Sequence, residues 1–466
     1  MYHVPFIFNW QISKFLNQWG KWSTSWRMEK EKFENIIYLL LLFFLPTQFG
    51  KHFWPSFALV NGLRLDYLSP TLYLTDILIL LLLSLHVFQR LFSLQGFRPC
   101  LPAGRYSIFG FLMIVIILLG IVFSKQPLSG LYGLLKLLEM TFFAWYTAAA
   151  LGKTVSFVQA GLAISASLLF ESLLGIAQFI SHGSLGGIFY FFGERSFTML
   201  TPGIANSSIH GTLILRPYGT LPHPNVLAGF LLFSMLFVIG QWEFLKRWQK
   251  RFIAVSLFVS LIALFLTLSR IPILWFFLLF FIGIVWIIRK KKKTLRVGLR
   301  IVGLVGVVTI LTPLGSRFLS TSFGEEAFII REDLALNALW MIQTHPLVGV
   351  GWQNFLYNLP KTATTFAYYT QIQPVHNIYL LLFAQLGIVG GLVVVGGLGY
   401  TIRRIVTAIH SPARSASLFM FLSILFLGLF DHYFLTLQSG QLLFALIIGL
   451  CYSLPQHKVK KKQFSK

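Results

Sequence analysis

The chain has 466 residues, of which 56% are hydrophobic and only 11% are charged. Soluble domains carry about 25% charged residues, so this composition excludes a water-soluble fold. Intrinsic disorder is excluded as well, because it requires few apolar residues and much charge. The formal net charge is +24, but no basic stretch is interleaved with stacking aromatics in a polar context. We therefore reject nucleic-acid binding and expect anionic membrane lipid as the partner of the basic segments.

The first 34 residues combine aromatic and basic side chains without forming a long apolar run. Four tryptophans, Trp10, Trp19, Trp22 and Trp26, lie beside the basic residues Lys14, Lys21 and Arg27. This pattern predicts a helix that lies on the cytoplasmic membrane surface, with a flexible tail as the alternative.

Apolar runs of about 20 residues, the length that a bilayer core requires, follow in chain order. They predict an all-α integral membrane protein with about twelve transmembrane helices, at 35–49, 71–93, 106–124, 128–150, 155–181, 222–242, 252–269, 271–289, 297–314, 376–402, 415–431 and 435–455. A single helix over 252–289 would extend about 57 Å, almost twice the hydrocarbon thickness. Arg270 and Pro272 are therefore predicted to mark a hairpin.

The distribution of Lys and Arg predicts which side of the membrane each loop occupies. With both termini in the cytoplasm, 28 of the 38 Lys and Arg residues fall on inner segments and nine on outer ones. This bias is what the positive-inside rule predicts. The chain then has an N-terminal segment (1–34), a polytopic domain (35–455) and a basic cytoplasmic tail (456–466). The two long outer loops are 182–221 and 315–375.

Ionisable residues within the apolar runs are candidates for function because they are costly to bury. Lys136 and Glu139 are spaced to pair on one helix. Glu171 could partner Lys136 or be held neutral, and Asp76 could cap or brace a neighbouring helix. A structural role is the favoured interpretation of each, as it is of Asp431–His432 before the last span.

No sequence pattern predicts a metal or nucleotide cofactor. Adjacent acids at Glu325–Glu326 and Glu332–Asp333 could bind a divalent ion weakly, but a solvated helix face is the favoured interpretation. The chain contains no Walker-type glycine-rich loop, so we do not expect an NTPase. Energy for any reaction would then come from the substrate.

Three cationic or titratable residues lie at the predicted outer ends of different helices. They are Arg216, Arg270 and His376. Arginine suits bidentate binding of phosphate oxygens, and histidine can remove a proton near neutral pH. The three could line one pocket; the alternative is that Arg270 extends from a helix end to the interface and His376 caps a helix.

Four motifs resemble the O-antigen ligase and polymerase family. They are RPYGTLPHPNVLAGF (216–230), LTLSRIP (266–272), HPLVGVGWQNF (345–355) and HNIYLLLFAQLGIVGG (376–391). Their order, the twelve predicted spans and the large outer loop before the HN motif are similar to the family layout. The resemblance covers roughly residues 35–455.

The resemblance implies a C-type glycosyltransferase that needs neither nucleotide sugar nor metal. It would move a glycan from a polyprenyl (undecaprenyl) diphosphate carrier to a glycan, lipid or cell-wall acceptor, at the outer face of the cytoplasmic membrane. Arg216 and Arg270 match the family arginines that hold the diphosphate, and His376 matches the histidine placed at the acceptor. The further substrate-binding candidates are His223, Asn225, Asn377 and Arg195.

Two alternatives share part of this evidence. A polymerase that joins carrier-linked repeat units would carry the same motifs and differ only in its acceptor. A transporter for a small anion belongs to another class. The outer position of the candidate residues argues against it, whereas Lys136, Glu139 and Glu171 near the predicted midplane favour it.

Overall fold

The computed structural model describes residues 29, 31–92, 105–209, 212–290, 326–362 and 372–456. The predicted surface helix at the N-terminus, the predicted span 297–314 and the C-terminal residues 457–466 lie outside this part of the chain. Within it the chain is mostly helical. Its α-helices are α1 (31–43), α2 (Leu74–Phe92), α3 (Arg105–Val122), α4 (Pro127–Ala150), α5 (Phe157–Ser181), α6 (Pro224–Ile239), α7 (Arg247–Leu266), α8 (Arg270–Lys290), α9 (Glu326–Thr344), α10 (Phe355–Thr362), α11 (Ile378–Thr407), α12 (Pro412–Leu427), α13 (Tyr433–Thr436) and α14 (Gln438–Ser453).

Short antiparallel strand pairs lie in the connections between these helices. They are β1 (Gly50–His52) with β4 (Thr71–Tyr73), β2 (Leu59–Val60) with β3 (Leu63–Arg64), and β5 (Asn206–Ile209) with β6 (Thr212–Leu215). The last pair lies within the loop between α5 and α6 and leads directly into the RPYGT segment.

The main core lies between helices that include both neighbours in the chain and a pair far apart in sequence. Helix α5 packs along α7 and α6, and α4 packs along α14. The contact between α5 and α7 includes a buried hydrogen bond from Ser172 Oγ to Ser260 Oγ at 3.0 Å. Small hydroxyl residues let two helices approach closely, and their hydroxyl groups hydrogen-bond with each other in apolar surroundings, as is typical of membrane helices.

Three of the described helices are long and apolar enough to cross a membrane: Phe157–Ser181, Arg247–Leu266 and Ile378–Thr407. Several further apolar helices are shorter, among them Pro224–Ile239 and Gln438–Ser453. The mostly helical class is thus confirmed, with three candidate membrane spans among the described residues, and the total of twelve spans stays a prediction. The chain does turn between α7 and α8, where Thr267–Ser269 separates the two helices.

One charged cluster ties three helices together inside the bundle. Lys136 Nζ lies 3.0 Å from Glu139 Oε2, which confirms the predicted pair, and 2.7 Å from Asp76 Oδ2. Asp76 also accepts hydrogen bonds from Gln438 Nε2 and from Tyr73 N. Because α2, α4 and α14 each contribute a partner, the cluster braces the packing of these helices.

A break in α11 receives the loop 345–351. Gly387 has φ 67° and ψ −177°, a backbone region open essentially to glycine alone. The loop supplies hydrogen bonds at the break, because Ile388 N donates to Pro346 O at 2.7 Å and Val350 N donates to Ala384 O at 2.9 Å. The HPLVGVG motif therefore fills the break in α11 and forms hydrogen bonds with the backbone groups on both sides of it.

We expect Gly387→Ala to lower the free energy of unfolding by about 1–3 kcal/mol, the usual cost of a strained backbone site. A Cβ at Gly387 would also clash with Leu347 O. Gly396→Ala is the matched control in the same helix, since a Cβ there meets nothing within 4 Å. It should be neutral or stabilising by up to about 1 kcal/mol. Thermal unfolding of the detergent-purified variants measures both changes in stability. Equal stability of the two variants would contradict a tight fit of the loop 345–351 in the break.

The predicted sidedness can be tested with single cysteines in a variant that lacks the native ones. Leu200 is 85% exposed in the loop predicted to be outside, and His410 is exposed in a loop predicted to be inside. We expect Leu200→Cys to react with an impermeant thiol reagent in intact cells, and His410→Cys only after permeabilisation. The reverse pattern would overturn the predicted orientation. Ser207 is unsuitable as a labelling site because it is buried.

Candidate active site

A cavity of about 1240 Å³ opens at the end of the bundle where α6, α8 and α11 begin. Six of the seven predicted site residues line it: Arg195, Arg216, His223, Asn225, Arg270 and His376. Asn377 is not among the lining residues. These positions span 182 residues of sequence, so only the packing of the helices brings them together.

Arg216 is buried and held at a defined position by three hydrogen bonds. Its Nε donates to Thr267 O at 2.8 Å, and one Nη donates to Asn225 Oδ1 at 2.8 Å and to Ser269 Oγ at 2.9 Å. Ser269 Oγ also donates to Asn225 Oδ1 at 2.9 Å. The network joins the first two family-like motifs and fixes the guanidinium before any ligand arrives, which is the preorganisation that electrostatic catalysis requires.

The segment that carries Arg216 is anchored on α5. Glu171 accepts hydrogen bonds from Thr220 N at 2.8 Å and Thr220 Oγ1 at 2.6 Å. Gln178 Oε1 accepts from the backbone N–H groups of Tyr218 and Gly219 at 3.0 and 2.8 Å. Glu171 therefore partners the RPYGT segment, not Lys136 as sequence analysis allowed, and its buried carboxyl positions the loop that bears the arginine.

Arg270 is the first residue of α8, directly after a tight turn. Leu268 in this turn has φ 51°, the left-handed conformation that bulky residues rarely adopt. The turn places Ser269 where its Oγ accepts a hydrogen bond from Arg216, and it places Arg270 in the cavity wall. Backbone strain of this kind is characteristic of functional sites, where the surrounding fold holds it in place.

His376 lies just before α11 and faces a second histidine. Its ring centroid is 5.0 Å from that of His432, in an edge-to-face arrangement. Burial lowers the pKa of His376, while the Asp431 carboxylate opposes the shift. The ring is therefore neutral at pH 7, as a base must be. The helix cap is Asn377, whose Oδ1 accepts from Tyr379 N and Leu380 N at 2.9 and 3.0 Å.

Asp431 and His432, which sequence analysis assigned to structure, lie inside the cavity. Asn225 Nδ2 donates to Asp431 Oδ2 at 3.2 Å, and His432 N donates to Asp431 Oδ1 at 2.8 Å. Burial works against ionisation of Asp431, but the neighbouring histidines and Arg331 hold its pKa below the usual range. The carboxylate is thus connected to Arg216 through Asn225. The only signal in the sequence was a charged pair at the edge of an apolar run.

Two further candidates have clear local roles. His223 caps α6, because its Nδ1 accepts from Asn225 N at 3.1 Å. Burial and the charge of Arg216 lower the pKa of His223 to about 3, so this ring is neutral. Arg195 donates to Pro222 O at 2.7 Å and lies over the Tyr218 ring, 5.6 Å from its centroid.

Positive charge exceeds negative charge around the cavity. Five arginines line it, at 64, 195, 216, 270 and 331, together with the carboxylates of Asp66, Glu194 and Asp431. Glu194 accepts from Leu185 N at 2.9 Å and Gly186 N at 2.7 Å, so backbone amides already take up its charge. Arg64 and Arg331 were not predicted as site residues. Such a surface suits an anion with several oxygens, and arginine can bind each pair of phosphate oxygens in a fork.

Comparison with protein families agrees with the sequence resemblance. Residues 255–395 match the family described as O-antigen ligase. The matched region contains Arg270, the loop 345–351, His376 and the break at Gly387, whereas Arg216 and Asp431 lie outside it. No curated protein matches the chain. The predicted family resemblance is thereby confirmed for residues 255–395, which contain three of the four motifs.

Proposed function

We propose that the chain, whose residues 255–395 match the O-antigen ligase family, transfers a glycan from a polyprenyl diphosphate carrier to an acceptor hydroxyl. The donor would be held at the outer face of the cytoplasmic membrane. The observation that carries the proposal is that Arg216, Arg270 and His376 line one cavity. Two cations and a neutral base are groups that suit this displacement.

The two arginines would stabilise the leaving diphosphate. As the bond between the anomeric carbon and the phosphate oxygen breaks, negative charge grows on the diphosphate. Cations that are already in place stabilise that charge without reorganising, and they are most effective where water is excluded. The hydrogen bonds from Arg216 to Thr267 and Ser269 supply this rigidity. Cleavage of the carrier bond itself supplies the energy.

His376 would act as the base for the acceptor. The acceptor oxygen attacks the anomeric carbon, its proton passes to His376, and the polyprenyl diphosphate departs with the bonding electron pair. Attack opposite the leaving group inverts the configuration of the sugar. Asp431 and His432, each with a polar atom within 4.8 Å of a His376 nitrogen, would orient the His376 ring and stabilise the imidazolium that forms.

The apolar part of the cavity suggests where the carrier tail lies. Leu268 and Ile271 at the start of α8, and Leu427 and Phe430 at the end of α12, line the cavity on one side. Deeper between these helices, the Trp275 and Phe426 rings stack with centroids 4.0 Å apart. The polyprenyl chain would pass over this apolar edge, because burying each CH₂ contributes about 0.8 kcal/mol.

The proposal is tested with purified protein in detergent and undecaprenyl diphosphate-linked oligosaccharide, without any ion gradient. We expect the donor to be consumed and a glycosylated acceptor to form, and an added chelator should not lower the rate because two arginines supply the positive charge. Chromatography of the lipid and glycan fractions measures both. Failure to consume donor in the presence of acceptor would contradict a transferase, and transport across vesicles without donor cleavage would favour the anion transporter.

The acceptor separates the two activities within the family. Transfer to a lipid core or wall fragment identifies a ligase. Elongation of the donor itself, with a second carrier-linked unit as acceptor, identifies a polymerase. Offering each acceptor alone to the same preparation decides between them.

A further inference from the structure

Three ligand groups meet beside the proposed base. One nitrogen of His376, one nitrogen of His432 and one carboxylate oxygen of Asp431 all lie within 4.8 Å of one another. Ligand atoms around a tetrahedral zinc ion, with bonds of about 2.0–2.1 Å, lie roughly 3.3 Å apart. The three groups therefore need to close by about 1.5 Å at most.

The His432 ring can offer a nitrogen lone pair to a metal. Thr436 Oγ1 lies 3.1 Å from His432 O, to which it can donate, and 2.6 Å from His432 Nδ1. When Thr436 donates its proton to the carbonyl, Nδ1 donates to Thr436 and the lone pair lies on Nε2. Ligating histidines characteristically use their second ring nitrogen in this way.

His376 adds an observation of its own. Its Nδ1 is buried and makes no hydrogen bond within the described part of the chain. A buried polar atom without a partner costs about 1–3 kcal/mol, so such an atom calls for a ligand. Asp431 is already oriented by Asn225, and each carboxylate oxygen keeps a second lone pair for a cation.

We propose that His376, Asp431 and His432 bind one zinc ion or a similar divalent transition metal, and that the bound ion stops glycan transfer. The two imidazoles are borderline ligands that favour zinc over magnesium or calcium, and a carboxylate oxygen also ligates zinc. They leave a fourth position open to water. The ion blocks transfer because it occupies the lone pair with which His376 would accept the acceptor proton. Binding is independent of the proposed function, and only the inhibition rests on it.

Cobalt(II) and zinc titrations test the binding directly. The protein carries no polyhistidine tag and is stripped of metal first. We expect visible absorption bands of tetrahedral cobalt that saturate at about one equivalent and disappear when zinc is added. Absence of these bands, together with no stoichiometric zinc in elemental analysis, would overturn the site.

The variants locate the site and guard against misfolding. His432→Gln and His376→Gln should each abolish the cobalt bands, and circular dichroism with thermal unfolding shows whether each variant is folded. His52→Gln is the matched control, because His52 lines the same cavity outside the cluster. It should keep the bands. Loss in His52→Gln with retention in His376→Gln would assign the metal elsewhere and refute the proposal.

The inhibition has a separate readout. Zinc should reduce donor consumption in step with occupancy of the cobalt-competing site, and a chelator should restore it. Zinc bound at this site with an unchanged transfer rate would refute the inhibition. If no transfer is seen under any condition, the proposed function fails, while the cobalt spectra still decide the metal site.

Discussion

Arg216→Ala and Arg270→Ala are each expected to slow glycan transfer by about a hundredfold, since one preorganised electrostatic contact is worth on the order of 3 kcal/mol in the transition state. Lysine at either position should restore only part of the rate, because it keeps the charge and loses the planar fork. Initial rates with carrier-linked glycan, measured at saturating acceptor, provide the comparison.

The structure separates a catalytic loss from a folding defect in these variants. Arg216 binds Thr267, Asn225 and Ser269, so its removal also breaks a buried network and should lower the melting temperature. Melting temperature and donor binding are therefore measured beside the rate. Arg247→Ala is the control, because Arg247 is exposed at the start of α7, away from the cavity. Near-normal transfer by both folded alanine variants would refute the proposal that Arg216 and Arg270 stabilise the leaving diphosphate.

His376→Asn should reduce transfer by roughly a hundredfold or more, the usual scale for a general base. Sequence analysis left open that His376 merely caps a helix, in which case asparagine would replace it well. The cap of α11 is Asn377, so a capping role no longer accounts for His376. We expect normal expression and preserved donor binding, with His410→Asn, an exposed histidine outside the cavity, as the control. Transfer at a near-normal rate would mean that another group accepts the proton.

The pH profile follows from the same residue. In the proposed mechanism neutral His376 is the active form, and it is lost as pH falls through the pKa of the ring. Burial lowers that pKa below the ordinary value of about 6.5. Transfer should therefore persist below pH 6.5 and decline only at more acidic pH. Asp431→Asn removes a charge that raises the pKa of His376, so the acidic limb should move still lower. A limb at or above pH 6.5 would contradict this environment.

Some features could be predicted from the sequence because they depend on neighbours along the chain. Apolar runs predict where helices form, since each helix must satisfy its own backbone within the bilayer. The pair Lys136–Glu139 follows from the three-residue spacing on one helix. Sequence analysis proposed Arg216, Arg270 and His376 as site residues because each lies in a short contiguous motif.

Other features depend on contacts between distant segments, and there sequence analysis gave no answer or an incomplete one. Asp431 and His432 are 55 and 56 residues from His376, and no local pattern distinguishes them from a structural pair. Glu171 was a candidate partner of Lys136, but it binds Thr220. Helical spacing shows which residues share one face; which face meets which helix depends on packing across the bundle.

Chain order and composition thus determined that the chain is mostly helical and apolar, and they gave Arg216, Arg270 and His376 as candidate site residues. Tertiary structure alone decided that three helices begin at one cavity, that the loop 345–351 fills the break at Gly387, and that Asp431 lies between Asn225 and the histidines. The physical reason is that a buried charge, or a backbone group without a partner in its own helix, requires a hydrogen-bond partner. The packing of the helices decides which residue lies close enough to be that partner.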